Sequence, residues 1–329
     1  MRTLNKTILK ATIGLLLFSA CNKAEIIPSP VSNNTIFEEE SSTELTNFFK
    51  SNLNQMTQRY SLDVSDGINI VTTKGATISI PKNALTTPNG NYVKGIVDIE
   101  FIELYDRASM LLANKPTVAS MPDGSQSQLI TGGEYYLRIT QNGKELIAKQ
   151  SIEVNLNAKY TNGFQEGMQF FDGSIDGNNE LTWKENKVKT ISNKVDSLDF
   201  EKNYSYKLLS DTWGWTNCDR YSSDPREKTN IKVFLNQKYT LKNTEIYITY
   251  DGESRALGMM NIYNKVEKYF STYQVPIGVQ LHLIALTVDN GQLKYSVKPI
   301  TVDKDGVFYM DGFKNTSIDE LTDLINTLP

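Results

Sequence analysis

The chain has 329 residues, of which 39% are hydrophobic, with 34 basic and 38 acidic side chains and a single histidine. At roughly 100–200 residues per domain this length leads to an expectation of two domains. The formal charge of −4, with no basic run, argues against a nucleic-acid partner, because phosphate binding needs clustered positive charge.

At the start of the chain Arg2, Lys6 and Lys10 precede the apolar run 11–18, followed by the small residues Ser19 and Ala20 and then Cys21. This is the layout of a secretory signal. The run is shorter than the roughly 20 apolar residues that span a bilayer, and no later segment approaches that length. Phe18-Ser19-Ala20-Cys21 resembles the lipobox of bacterial lipoproteins, with Phe18 where Leu is usual. The resemblance implies that residues 1–20 are a signal peptide and that the mature chain begins at a lipidated Cys21. Residues 1–20 carry three basic and no acidic side chains, so their removal takes the formal charge from −4 to −7. Acyl chains bind a bilayer with about 0.8 kcal/mol per buried methylene, so the lipid is the expected membrane contact. Residues 21–35 are polar and interrupted by Pro28 and Pro30, the composition of a solvated tether. Asn22 is not the Asp that retains lipoproteins in the inner membrane, which makes the outer membrane the expected location.

The next segment, 36–60, contains a helix over 41–60. Ser41 and Glu44 have capping-box spacing, and Leu45, Phe48, Phe49, Leu53 and Met56 recur at helical period. From 61 to 158 the pattern is β: strands are expected at 68–72, 77–80, 96–101, 135–139 and 152–156, with Asn142-Gly143 as the clearest hairpin turn. Several strands in some ninety residues argue a sandwich. Gly75-Ala76-Thr77-Ile78-Ser79-Ile80-Pro81-Lys82-Asn83-Ala84-Leu85, followed by Gly95-Ile96-Val97-Asp98-Ile99-Glu100, resembles the opening of ZU5-type β-sandwich domains. It is also similar to lipoproteins of unassigned function from Bacteroidetes, in which a segment like Thr131-Gly132-Gly133-Glu134-Tyr135-Tyr136 follows. The resemblance covers about a quarter of the chain and implies an interaction or scaffold module with no chemistry. Self-cleavage at a His-Phe-Ser site, known in some ZU5-containing proteins, is not expected, because His282 is followed by Leu283 and Ile284.

Residues 159–199 read as a hairpin, with strands at 168–171 and 181–183, and then a polar linker over 184–197. The remainder, 200–329, is expected to form a second β domain with strands at 204–208, 231–235, 245–249, 279–285 and 293–297. A short C-terminal helix follows, capped by Ser317 and Glu320. Trp213-Gly214-Trp215-Thr216-Asn217-Cys218-Asp219-Arg220 resembles a segment of the same lipoproteins. The fold class expected is mainly β, two β-sandwich-like domains with an N-terminal amphipathic helix and a short C-terminal helix.

Chemistry is constrained by the lone His282, which lies in an apolar strand and is expected to be a packed imidazole rather than a general base. Cys218, left without a cysteine partner by lipidation of Cys21, is expected to be a buried small hydrophobe. Zinc sites need more His and Cys than the chain has. Asp172, Ser174, Asp176 and Gly177 imitate the front of a calcium loop, but the twelfth position is Trp183, so a plain turn is expected there. No metal or cofactor is expected. Tyr135, Tyr136, Trp213 and Trp215 are a candidate ligand platform for sugar stacking, weighed against core packing. Asp196-Ser197-Leu198 matches a short O-glycosylation pattern with Ser197 as acceptor. The expected function is a membrane-anchored, non-enzymatic binding or scaffold lipoprotein of the cell envelope. Its expected partners are the membrane, through the Cys21 lipid, and an envelope protein or glycan. A carboxylate-dependent enzyme on glycans or peptides and an envelope-structural protein without a discrete ligand are the alternatives. Two close acids in a cleft would favour the enzyme, and a flat aromatic patch would favour binding.

Overall fold

The amphipathic pattern near the N-terminus forms α1 (Thr43–Met56), whose Leu45 and Phe49 are buried while Phe48, Leu53 and Met56 flank the same core. The computed structural model describes residues 43–175, 181–195 and 204–329, all within a unit that runs from Ile36 to Pro329. Helix was expected to continue to residue 60. It ends at Met56, and Gln58–Asp63 is instead an edge strand paired antiparallel with Ile96–Leu104. Ladder hydrogen bonds to Ile96–Leu104 satisfy the backbone groups on one side of this polar stretch, and Thr57 closes the helix by donating from its hydroxyl to the Leu53 carbonyl.

The chain is mainly β. The long strand Gln126–Gln141 organises the first sheet, pairing with Ile96–Leu104 on one side and Gly214–Tyr221 on the other. Gln169–Ile175 and Leu181–Glu185 continue the sheet, and Val118–Ser120 pairs both with Leu181–Glu185 and with the long strand. Five strands therefore close on themselves as a circuit. Phe171, Leu181, Trp183, Trp215, Ala119 and Leu129 from these strands share one buried cluster. Gly173 is the close-approach position within it: a Cβ there would lie 2.5 Å from the Trp215 Cβ. The other end of the first sheet packs on a second one, ordered 192–195, 204–210, 152–157, 77–80, 68–71. Between them lies a core of Ile78, Ile80, Val97, Ile99, Phe101, Tyr135, Leu137, Val154 and Tyr206.

A second sandwich pairs a four-stranded sheet, Ile262–Asn264, Tyr269–Pro276, Lys228–Phe234 and Val307–Tyr309, with a five-stranded one. The latter is Glu253–Met259, Thr244–Tyr250, Gln280–Asp289, Gln292–Thr301 and Lys314–Asn315. Ile231, Val233 and Phe270 from the first meet Ile246, Ile248, Leu281 and Leu283 from the second. The other face of the five-stranded sheet, with Tyr247, Leu257, Ile284 and Leu286, joins residues of α1, α2 (Arg107–Ala113), α3 (Ile318–Thr327) and the first sheet in one continuous cluster. Helices thus form a middle layer between two sandwiches. Arg107 anchors α3 by donating to the Leu328 and Pro329 carbonyls, and Ser317 and Glu320 make the expected capping box.

The boundary expected at 199/200 does not separate two sheets. Tyr204–Ser210 and Gly214–Tyr221 both complete the first sandwich. The stretch 184–197, expected as a linker, contains the end of one strand and an edge strand, Ser192–Val195, paired with Tyr204–Ser210. Local polarity marked it as a connection, whereas cross-strand pairing recruits it. Among the described residues no helix is long and apolar enough to cross a membrane.

Candidate functional site

Cys21 and Ser197 lie outside the described residues, as do Asp176 and Gly177. The described part of the calcium-loop mimic is a β-hairpin, with Ser174 opposite Thr182. The four aromatics expected as a ligand platform do not share one exposed face. Successive strand residues point to opposite sides of a sheet, so Tyr135 enters the first core, fully buried and 5.7 Å from the Phe101 ring. Tyr136 and Trp215 pair on the opposite side, 5.6 Å apart. Trp213 packs on the first core and donates its indole N–H to the Leu146 carbonyl.

The two segments set apart in the sequence, Thr131–Tyr136 and Trp213–Arg220, are neighbours on adjacent strands. Asn217 faces Glu134, Thr216 faces Tyr135, and a bulge at Cys218 shifts the register before Asp219 meets Thr131. This brings together a polar group with no solvent exposure at Glu134, Asp219, Asn217 and Thr131, beside Lys115 at 1%. Asn217 Nδ2 donates to Asp219 Oδ2 at 2.7 Å, and Thr131 Oγ1 donates to Asn217 Oδ1 at 3.0 Å. Both Glu134 oxygens and Asp219 Oδ1 have no hydrogen-bond partner. Gly133 makes room for the backbone turn here: its φ is +129°, and a Cβ would sit 2.8 Å from the Tyr105 ring.

Burial holds the Glu134 and Asp219 carboxyls well above the usual carboxylate range. The neighbouring Asp219 adds to the effect at Glu134, against a smaller pull from Lys115. Burial brings Lys115 down to about 8, with its ammonium 5.6 Å from the Trp215 ring centroid. The Cys218 thiol, buried and free, is pushed up, so it is poor in thiolate. No substrate can touch this acidic pair in the folded chain, because neither side chain reaches the surface. It is a polar interior.

His282 Nδ1 lies 2.9 Å from Asp251 Oδ1. Its cross-strand neighbour Thr249 is fully buried with its hydroxyl unbonded. Among the described residues no group of three or more His, Cys, Asp or Glu could hold a metal ion. A shallow crevice between the sandwiches is lined by Gln126, Gln128, Tyr250 and Gln274.

The outer face of the four-stranded sheet is different. Ile231, Val233, Tyr263, Phe270 and Phe308 turn inward, so Phe234, Tyr269 and Tyr309 turn outward, and register places all three in one row. Phe234 is opposite Tyr269 on one side and Tyr309 on the other. Ring centroids are 5.5 Å and 5.3 Å apart, and Phe234 and Tyr309 are within 21° of parallel. Tyr309 is 67% exposed and Val307, two residues before it on the same face, 47%. Lys232 lies in the next row, its Nζ 4.7 Å from the Tyr269 ring centroid, and Asn264 Nδ2 donates to the Tyr269 hydroxyl at 3.2 Å. The result is a row of three mutually packed rings with polar and cationic neighbours on the outer sheet face, Tyr309 exposed and Phe234 and Tyr269 half-buried.

None of these three aromatics was singled out from the sequence. A signal was present: Tyr269-Phe270 and Phe308-Tyr309 are adjacent aromatic pairs in strands, and the two-residue period must put one of each pair outside. No protein-family model matches the chain, and no curated protein matches it either.

Proposed function

We propose that this chain is a lipid-anchored, non-enzymatic binding module of the cell envelope, held to the outer membrane by Cys21 and engaging its partner through the Tyr309–Phe234–Tyr269 ribbon. The observation that supports binding is the ribbon itself. A contiguous aromatic row, exposed at Tyr309 and half-buried at Phe234 and Tyr269, with polar groups around it, has the character of a recognition face, because aromatic rings supply large contact area with little rotamer entropy to lose. The rival, a carboxylate enzyme, calls for two acids on a cleft. Glu134 and Asp219 have the raised pKa values, but both are fully buried. The anchoring half rests on the signal and lipobox layout of residues 1–21.

Each half has its own experiment. Replacing Cys21 with Ser should abolish acyl labelling and release the protein from protein-free lipid vesicles, and a variant that is still acyl-labelled or stays on such vesicles overturns lipid anchoring. For binding, the full chain carrying Cys21→Ser, which has no acyl anchor, is purified and sedimented with isolated host envelope, and the ring substitutions are made in that background. Phe234→Ala together with Tyr309→Ala should cut co-sedimentation at least tenfold. An unchanged fraction in the pellet would leave the ribbon without a role. An envelope-structural protein lacking a discrete ligand would also show no dependence on these two rings.

A further inference from the structure

We infer that segment 114–117 is a pH-sensitive latch between the two sandwiches, closed over the buried Glu134, Asp219 and Lys115 group and loosened as the two carboxyls give up their protons. The inference is independent of the aromatic row and of what it binds.

Four consecutive residues after α2 stitch the sandwiches together. From the second sandwich, Tyr247 donates its hydroxyl to Asn114 Oδ1 at 2.8 Å. Leu257 bonds Thr117 twice, its N–H donating to Thr117 Oγ1 and its carbonyl accepting from the Thr117 N–H, both at 2.9 Å. From the first sandwich, Trp183 donates its indole N–H to the Pro116 carbonyl at 2.9 Å. The Leu129 N–H and Gln128 Nε2 donate to the Thr117 carbonyl at 2.9 and 2.8 Å. Thr117, with no solvent exposure, is therefore bonded to both sandwiches at once. The crevice lined by Gln128 and Gly258 runs beside these bonds, so slack in the segment widens it.

Lys115 ties the segment to the acidic pair. Its ammonium is 5.6 Å from the ring centroid of Trp215, two residues before Asn217, the cross-strand partner of Glu134. Lys115 Nζ donates to the Asn114 carbonyl at 3.2 Å, and among the described residues it makes no ion pair with either carboxyl. Both Glu134 oxygens and Asp219 Oδ1 are buried without a partner. A carboxyl so placed is tolerable when neutral and costly when charged. The ionisable groups that bear on Glu134 are Asp219 on the adjacent strand and Lys115 on the segment, while Asp219 is also bonded by Thr131. Loosening the segment lets water reach the pair, so the open form releases protons that the closed form keeps. Such local opening needs far less exposed surface than unfolding the cores.

The direction with pH follows from linkage. Burial raises both carboxyls in the closed form, so opening becomes easier as pH rises above about 4 toward the closed-form values. Lys115, brought down only to about 8, stays protonated in both forms between pH 5 and 7 and adds little slope there.

The test is hydrogen–deuterium exchange of the full chain in detergent micelles at pH 5 and pH 7, read by mass spectrometry and corrected for the intrinsic pH dependence of amide exchange. Protection of the Thr117, Leu129 and Leu257 amides should fall at least tenfold between the two pH values. The core strands Thr77–Ile80 and Lys228–Phe234 should change less than twofold. Glu134→Gln should shrink the fall at least threefold, as should Asp219→Asn, which keeps an oxygen for Asn217 to donate to; either variant suffices if the other does not fold. Protection at the latch that is flat from pH 5 to 7, a fall of equal size in the core strands, or a fall undiminished in the folded variants overturns the proposal.

Discussion

Glu134 and Asp219 are carboxyls that the fold keeps from water, and at the scale of single residues they dictate a pH dependence. Their folded-state pKa values lie above those of the unfolded chain, so the native state binds protons that the unfolded state has released. Their contribution to stability is complete below about pH 4 and is lost as pH rises through the folded values. Lys115 works in the opposite sense. Its value is lowered to about 8 from 10.5, so stability recovers between those two values as the unfolded chain holds the extra proton. Glu134→Gln should therefore raise the melting temperature at pH 7–8, change it little at pH 4, and flatten the curve between, as read by thermal melts across pH. A lower melting temperature for Glu134→Gln at pH 8 would mean that the carboxylate is compensated there. At this scale the sequence was partly legible. The segments around Glu134 and Asn217 stood out, yet their pairing was hidden, because residues 142–213 separate two strands, Gln126–Gln141 and Gly214–Tyr221, that become neighbours only through the sheet. The ribbon was hidden for another reason: which face of a strand is outermost depends on what covers it.

Elements were more legible where a local pattern sufficed. Asn142-Gly143 and Asn290-Gly291 take positive φ at both residues, and the hairpin turns they mark lie at Gln141↔Lys144 and Asp289↔Gln292. The Ser317 capping box closes α3 as its spacing implied. Ser317→Ala should cost about 0.5–2 kcal/mol in urea unfolding, the usual value of an N-cap side chain. Helix α2 escaped notice. Its seven residues are buried nearly all round, so they show no polar face and read equally as a strand. The signals it does carry are Asp106, which caps Ser109, and Asn114 in the left-handed region. Gly173 tests the closed strand circuit. Gly173→Ala places a methyl against the Trp215 Cβ and the Trp183 ring, so over-packing should destabilise by about 1–3 kcal/mol. A neutral result in chemical denaturation would mean that these strands spread without cost.

For the whole molecule, the mainly β class follows from period-two patterning, but the division into two independent halves does not. The middle cluster takes residues from both sandwiches and from all three helices, and the first sandwich is completed by strands beyond residue 200. A fragment ending at residue 199 should lack cooperative unfolding and near-ultraviolet dichroism, whereas the full chain should unfold in a single transition. Two separated transitions in calorimetry would show that the sandwiches are energetically independent. The arrangement also separates two sets of chemical groups: a buried acidic pair that tunes stability, and a part-exposed aromatic row on the outer face of the four-stranded sheet. The most direct test compares Phe234→Ala/Tyr309→Ala with Glu134→Gln in the same envelope co-sedimentation assay. The binding reading predicts at least a tenfold loss for the ribbon variant and none for Glu134→Gln. Retained binding in the former, with loss in the latter, would contradict it.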